Sequence, residues 1–297
     1  MFEQPSFSVV IPLYNKADTL IRALNCVISQ TVLPLEVLVV DNGSSDGGRA
    51  LAENFHPLVR VLDASVRGVS VARNTGIAAA EGNFIAFLDA DDVWEPDFLE
   101  TIQGLIIDFP GAGWYALGYA FKWEAKLAYP NHPLPSAFKR GYVPNYFELV
   151  AKGDMLATAS SVVIGKQILN ELGCFAEGEA IGEDQDLWAR IALRYRVAFD
   201  QQLKAYYIQD ANNMATRRKT EKRLWPFVER LAAEAHGLPA EVKNDLLQYL
   251  SRQLVGQASL LVLDKEFKAA ENILRHHLAP KQGLRYWYWK GRALLCL

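Results

Sequence analysis

An α/β domain on a mostly parallel sheet, followed by a helical C-terminal extension, is the fold this sequence predicts. Three observations lead there. Short apolar runs rich in Val and Ile alternate with helix-period stretches from Phe7 to Leu88, and such alternation means parallel strands joined by crossover helices. Two of these runs stop abruptly at polar, carboxylate-bearing turns, Asp41 to Gly47 and Asp89 to Asp92. From Thr216 onward strand signals vanish and amphipathic helices take over, with Leu246, Leu250, Leu254 and Leu261 as one example. The division expected is therefore 1–216 for the α/β domain and 217–297 for the helical region.

Phe7 to Pro12 reads as a buried first strand that Pro12 ends, since proline cannot donate to a sheet. Asn15 can cap the helix that follows, whose apolar stripe is Leu20, Ile21, Leu24, Val27 and Ile28. Glu36 to Val40 is a second strand, a weaker helix reaches about Phe55, and Leu58 to Leu62 is a third strand. Gly68-Val69-Ser70 opens a small-residue helix, Val71 to Ala80, and Asn83 to Leu88 is the fourth strand. Trp94 to Phe109 is predicted helical, with Pro96 in its first turn, where proline is tolerated. Tyr115 to Trp123 alternates as a strand does, and Glu124 to Val143 is proline-containing and predicted to be an irregular loop over the cleft. Short helices are predicted over Asn145–Lys152 and Gln167–Leu172, and a strand over Ala159–Ile164. Leu187, Trp188, Ile191 and Tyr195 share a helix face behind Gly182-Glu183-Asp184, and Arg196 to Ile208 is a closing strand. Lys265 to His277 and Leu284 to Leu295 can form a helical hairpin.

The 297 residues are 51% apolar with a formal charge of −3. A sizeable core is within reach, and nothing argues electrostatically for nucleic acid as a partner. Cys26, Cys174 and Cys296 are far apart and in no metal-ligand spacing, which suits a reducing compartment. Met1 to Ser8 has no basic segment of a leader, and no run spans a membrane, so the expected location is cytoplasmic. Peripheral contact with the inner face of a membrane stays open, through Arg217, Arg218, Lys219, Lys222 and Arg223 or the aromatic run Arg285 to Lys290.

The chemistry concentrates at strand ends. A buried strand carries Phe84 to Leu88 comfortably, but Asp89 and Asp91 cannot stand inside it, so they belong just past its carboxyl end. Open α/β sheets bind ligands there. Asp-x-Asp suits a hard divalent cation accompanied by a substrate phosphate, although Asp is also common in surface turns. Asp184 sits in the first turn of a helix, where the dipole favours a negative charge, so a plain capping role competes with a catalytic one.

Five ordered segments resemble family 2 glycosyltransferases: Val10 to Asn15 with Ser29-Gln30-Thr31, Glu36 to Asp46, Gly68 to Gly76, Leu88 to Asp97, and Gly182 to Trp188. The resemblance covers roughly residues 7 to 208 and implies the GT-A fold, with transfer of a sugar from a nucleotide donor and inversion at the anomeric carbon. It implies a nucleotide-sugar pocket lined by Pro12, Tyr14, Asp41, Asn42, Gly68, Asp89 and Ala90. Many members have Asp where this chain has Asn42, so either Asp41 or Asn42 would read the base. Asp89 would serve the ribose, Asp91 would ligate Mn²⁺ or Mg²⁺, and Asp184 would be the catalytic base. The implied donor is a UDP-sugar, with dTDP and GDP as the other nucleotides, and the acceptor a glycan or lipid-linked saccharide. The rival expectation is a non-catalytic nucleotide-sugar or glycan-binding module on the same fold.

Overall fold

The computed structural model describes residues 4–124, 126–179, 181–209, 220–280, 288 and 291. It forms two compact units. The first comprises Met1–Pro144, Met155–Gly178 and Glu183–Asp210, and the second Asn145–Asp154, Glu179–Gly182 and Ala211–Leu297. The expected boundary at 216–217, the basic residues Arg217 to Lys219 and almost all of the expected second hairpin arm lie outside the described residues.

The first unit opens with β1 (Phe7–Leu13), α1 (Ala17–Ile28), β2 (Glu36–Asp41), α2 (Gly48–Glu53), β3 (Val59–Asp63), α3 (Val69–Ala79) and β4 (Phe84–Phe87). All four strands run parallel, in the spatial order β3-β2-β1-β4. Val9, Ile11, Val37, Val39 and Ala86 are fully buried, as expected for strands covered by helices on both faces. Pro12 does not end β1; it lies one residue inside it, opposite Val40. Val10 accepts from Leu88 on the β4 side and Leu13 accepts from Asn42 on the β2 side. Alternation therefore turns the Pro12 nitrogen towards β4, beyond its last paired residue, where no donor is needed.

Beyond β4 the chain departs from simple alternation. Val93–Trp94 is a short strand, β5, paired with the closing strand, and α4 begins only at Phe98 and runs to Asp108. The Trp94 ring is 2% exposed and stacks on Phe98 at 4.1 Å, so its burial sets the local path and Pro96 precedes the helix. β6 (Tyr115–Trp123) follows, and the expected loop contains β7 (Lys126–Ala128), paired with β6, and β8 (Arg140–Tyr142). β9 (Val162–Gly165) then inserts antiparallel between β4 and β6. After α6 (Lys166–Leu172) and α7 (Glu183–Ala192), β10 (Ala198–Ile208) runs parallel to β6 and pairs with β8. Two reversals across β9 leave β6 and β10 pointing the same way as β1 to β4. Their carboxyl ends therefore share one sheet edge.

α3 lies close on β1. A Cβ on Gly76 would stand 2.4 Å from Val10 Cγ1 and 2.9 Å from Cγ2, and a valine has little rotamer freedom to yield. Gly76→Ala is expected to cost about 1–3 kcal/mol, read as a lower urea midpoint; an unchanged midpoint would show that the helix can slide outward freely.

The second unit is helical: α5 (Tyr146–Lys152), α8 (Pro226–Glu234), α9 (Ala240–Leu263) and α10 (Phe267–Leu274). α9 buries Leu246, Tyr249, Leu250, Leu254, Ala258 and Leu261. Asn145 caps α5 by accepting from Glu148 N–H and donates to Asp245 on α9. Buried Gln257 accepts from Trp225 N–H and donates to the Glu221 and Arg223 carbonyls, closing the entry to α8. Among the described residues no helix is long and apolar enough to cross a membrane.

Candidate active site

Three strand ends and one helix start supply the site. At the end of β1, Tyr14 lies under the Arg67 guanidinium, whose carbon is 4.1 Å from the ring centre. Asn15 does not cap α1. It adopts φ 49°, accepts from Ser45 N–H at 2.8 Å and receives its neighbour's reach through Ser44 Oγ, which accepts its own N–H at 3.1 Å. The amide thus stitches the loop after β1 to the loop after β2. Asparagine tolerates this left-handed backbone better than most residues.

At the end of β2, Asp41 is 6% exposed and accepts from Ser44 N–H at 3.1 Å. The Asn42 amide is committed elsewhere: it accepts from Gly68 N–H at 2.8 Å and donates to the Gly68 carbonyl at 3.0 Å. Asn42 therefore latches the entry to α3 onto the end of β2. Pro12, Tyr14, Asp41, Asn42 and Gly68 are all at this edge.

The end of β4 carries the acidic turn. Asp89 Oδ1 accepts from Arg73 Nη2 at 2.8 Å, and Arg73 Nη1 donates to Glu183 Oε1 at 2.9 Å. Arg73 is 3% exposed and rests on the Phe175 ring at 5.2 Å. One buried guanidinium on α3 thus joins the turn after β4 to the first residue of α7. Asp91 Oδ2 pairs with Lys16 Nζ at 2.6 Å, and Arg22 donates to the Asp91 carbonyl at 2.8 Å. Ala90 between them belongs to the main apolar core. Burial, then Asp89, holds the Asp91 carboxyl above its usual range, with Lys16 pulling the other way.

Asp184, the second residue of α7, is half-buried and accepts from Gln185 N–H at 2.7 Å. Burial first, and then the Glu183 charge, pushes its carboxyl up to about 7 against the opposing pull of Arg73. Asp186 is different: it is fully buried and pairs with Arg190 Nε at 2.8 Å, while the same guanidinium donates to the Leu172 and Cys174 carbonyls. It orients the helix. Tyr207, near the end of β10, has its phenol pushed up by burial and then by Asp92, Asp89, Asp91 and Asp184.

The fold thus brings the expected residues to one sheet edge and, through Arg73, ties Asp89 to the helix of Asp184. Sequence reasoning passed over Lys16, Arg22 and Arg67. Lys16 follows the Tyr14-Asn15 signal directly and could have been found by it; Arg22 and Arg67 carry no signal of their own.

The model for "Glycosyl transferase family 2" matches residues 8–158, which contain the ends of β1, β2 and β4 but neither the start of α7 nor the end of β10. Among curated proteins, the chain is 40% identical over 137 residues to the glycosyltransferase AglE of Haloferax volcanii, covering 43% of this chain and 41% of that one. It is 44% identical over 101 residues to the succinoglycan biosynthesis protein ExoO of Rhizobium meliloti, covering 33% and 29%. It is 38% identical over 104 residues to the uncharacterized glycosyltransferase YibD of Escherichia coli K12, covering 34% and 30%. The matches thus span well under half the length of these relatives. In fold, the chain is similar to S. aureus TarS 1–349 in complex with UDP-GlcNAc, with a TM-score of 0.69 over 98% of this chain and 89% of that one at 18% identity. A nucleotide-sugar transferase fold of the GT-A type, with the family's motifs at its sheet edge and a family match over half of its length, makes this chain a member of glycosyltransferase family 2.

Proposed function

We propose that the chain is an inverting glycosyltransferase that moves a sugar from a UDP-sugar to a hydroxyl of a glycan or lipid-linked saccharide, in the building of a cell-surface polysaccharide. One observation carries the reading. A carboxyl poised near neutrality, Asp184, lies on the helix that buried Arg73 fastens to the Asp89 turn. That link supports a proton acceptor working beside a strand-end ligand site, and a capping role alone needs no such link. The relative named for succinoglycan biosynthesis supports the polysaccharide part, and the TarS complex with UDP-GlcNAc supports the nucleotide.

In this reading Asp41 reads the base, because the Asn42 amide is committed to Gly68. Tyr14 and Arg67 flank the nucleoside, and Asp89 meets the ribose. The acceptor oxygen attacks the anomeric carbon, its proton passes to Asp184, and the bond to the diphosphate breaks with its electron pair leaving on phosphate oxygen. Attack opposite the leaving group inverts the centre. In this reading Lys16, now paired with Asp91, turns to the diphosphate as its charge grows.

The residues present fit a hard divalent cation. Asp89, Asp91, Glu183 and Asp184 outnumber Lys16, Arg22 and Arg73 in the cluster. Among the described residues no three His, Cys, Asp or Glu side chains form a cage by themselves. Such a donor set suits Mn²⁺ or Mg²⁺ held by Asp91 and completed by diphosphate oxygens. When bound, the ion would stabilise charge on the leaving diphosphate.

Screening UDP-, dTDP- and GDP-sugars for metal-dependent release of the nucleoside diphosphate tests the activity. Asp91→Ala is expected to abolish the metal-dependent part of UDP binding and to keep the fold, since Asp91 stands outside the core. Calorimetry with UDP, with and without Mn²⁺, checks this; equal affinity of the wild type in both conditions would remove the cation from the proposal.

A further inference from the structure

The turn that carries Asp89 and Asp91 is held from behind by two residues that lie outside the assigned set. Asp92 and Ser160 are each 1% exposed. The Asp89 backbone N–H donates to Ser160 Oγ at 3.1 Å, and the Ser160 hydroxyl donates to Asp92 Oδ2 at 2.5 Å. The other oxygen, Asp92 Oδ1, accepts from Ile208 N–H at 3.0 Å. Asp92 N–H donates to the Asp89 carbonyl at 3.0 Å, closing the turn on itself. Ser160 is itself fixed, because Trp94 Nε1 donates to its carbonyl at 2.5 Å. It sits in the 3₁₀ turn Ala159–Ser161 that leads into β9, and Ile208 ends β10. One buried carboxylate therefore binds the ends of β4 and β10 and the entry to β9.

A carboxylate in such a place is costly to bury, and an apolar residue of similar volume is often the more stable choice. What the polar residue supplies is direction: a buried network with every member satisfied specifies one geometry. Here the geometry specified is that of Asp89, whose amide is the first link of the chain, and of Asp91, the residue before Asp92. Asp92 itself is no candidate ligand, since both of its oxygens are committed and it is shut off from the cleft.

We propose that Ser160 and Asp92 are positioning residues that set the direction of Asp89 and Asp91 for the ribose and diphosphate of the donor. The inference rests on the donor-site reading above.

The test is a double-mutant cycle on the full chain, with UDP and Mn²⁺ as the probe and calorimetry and thermal melting as readouts. Ser160→Ala is expected to weaken UDP binding about tenfold, the worth of one well-placed buried hydrogen bond. In an Asp89→Ala background the same substitution is expected to cost clearly less than its tenfold, because only its effect through Asp91 remains. Asp92→Asn, which keeps an acceptor for Ile208 N–H and a polar partner for Ser160, is expected to lose less affinity than Asp92→Ala. A residue that only held the fold together would lower the melting temperature and add its full loss to that of Asp89→Ala. Additive losses, or wild-type affinity in Ser160→Ala, overturn the proposal. If Ser160→Ala does not fold, Asp92→Asn takes its place in the cycle with the same two outcomes. Wild-type protein that binds no UDP overturns the donor reading and this inference with it. Wild-type protein that binds while the cycle comes out additive overturns this inference alone.

Discussion

Asp184→Asn is expected to lower the rate of sugar transfer by about 10²- to 10⁴-fold, the usual worth of a general base, and to leave UDP affinity nearly unchanged. The amide keeps the size of the carboxyl and can still accept from Gln185 N–H, but it cannot take the acceptor's proton. The wild-type rate should also rise with pH through about 7, where burial and Glu183 have moved the Asp184 carboxyl. The stability consequence has the opposite direction. The folded-state value lies above the ordinary 3.8, so the folded chain holds this proton more tightly than the unfolded chain does. The contribution to stability is therefore fully present below about pH 4 and is lost as pH rises through about 7. Asn does not ionise, so at pH 8 Asp184→Asn is expected to melt no lower than wild type while being nearly inactive. Transfer rates and melting curves for wild type, Asp184→Asn and Asp186→Asn decide it. Near-normal transfer by Asp184→Asn would make Asp184 a helix-start residue, since Asn and Asp cap about equally well, and would refute it as the base. Asp186→Asn is expected to show the reverse profile, a milder rate loss with a lower melting temperature, because its partner is Arg190 inside the fold.

Arg73→Ala is expected to destabilise the fold by about 3 kcal/mol and to remove UDP binding. Breaking a buried ion pair leaves uncompensated charge and typically costs about 3–5 kcal/mol; the lower end applies because Asp89 and Glu183 retain 28% and 13% of their side-chain exposure. Arg73→Lys should recover only part of either loss. A guanidinium donates from two nitrogens in a fixed plane and reaches both carboxylates at once, whereas an ammonium is a point charge that can satisfy one well. Urea denaturation and UDP calorimetry on the three proteins check this. An Arg73→Ala protein with the wild-type midpoint and wild-type affinity would show that the two carboxylates need no shared counter-ion.

Much of the first half of the fold was legible in the sequence. Phe7 to Leu88 alternates buried strands with helices, and a buried parallel strand has a distinctive composition because both its faces are covered. The abrupt polar ends at Asp41 and Asp89 were legible for a related reason: charge cannot continue into such a strand. The later strands were harder. Val93–Trp94, Lys126–Ala128 and Arg140–Tyr142 have two or three residues each, too few for a period to show. Residues 145–154 and 179–182 pack with the C-terminal helices, an assignment that depends on contacts distant in the chain.

The family was legible through the resemblance of five ordered motifs, and the parallel core and the residue types at the strand ends through local composition and spacing. The tertiary structure alone decided how those residues are used. Asn42 latches Gly68, Asn15 joins two loops in place of capping a helix, and Lys16 neutralises Asp91 from 75 residues away. Arg73 spans 16 residues to Asp89 in one direction and 110 to Glu183 in the other. The physical reason is that a hydrogen bond or ion pair depends on distance in space, and a strand order of β3-β2-β1-β4-β9-β6-β10 makes neighbours of residues that no periodicity in the chain relates.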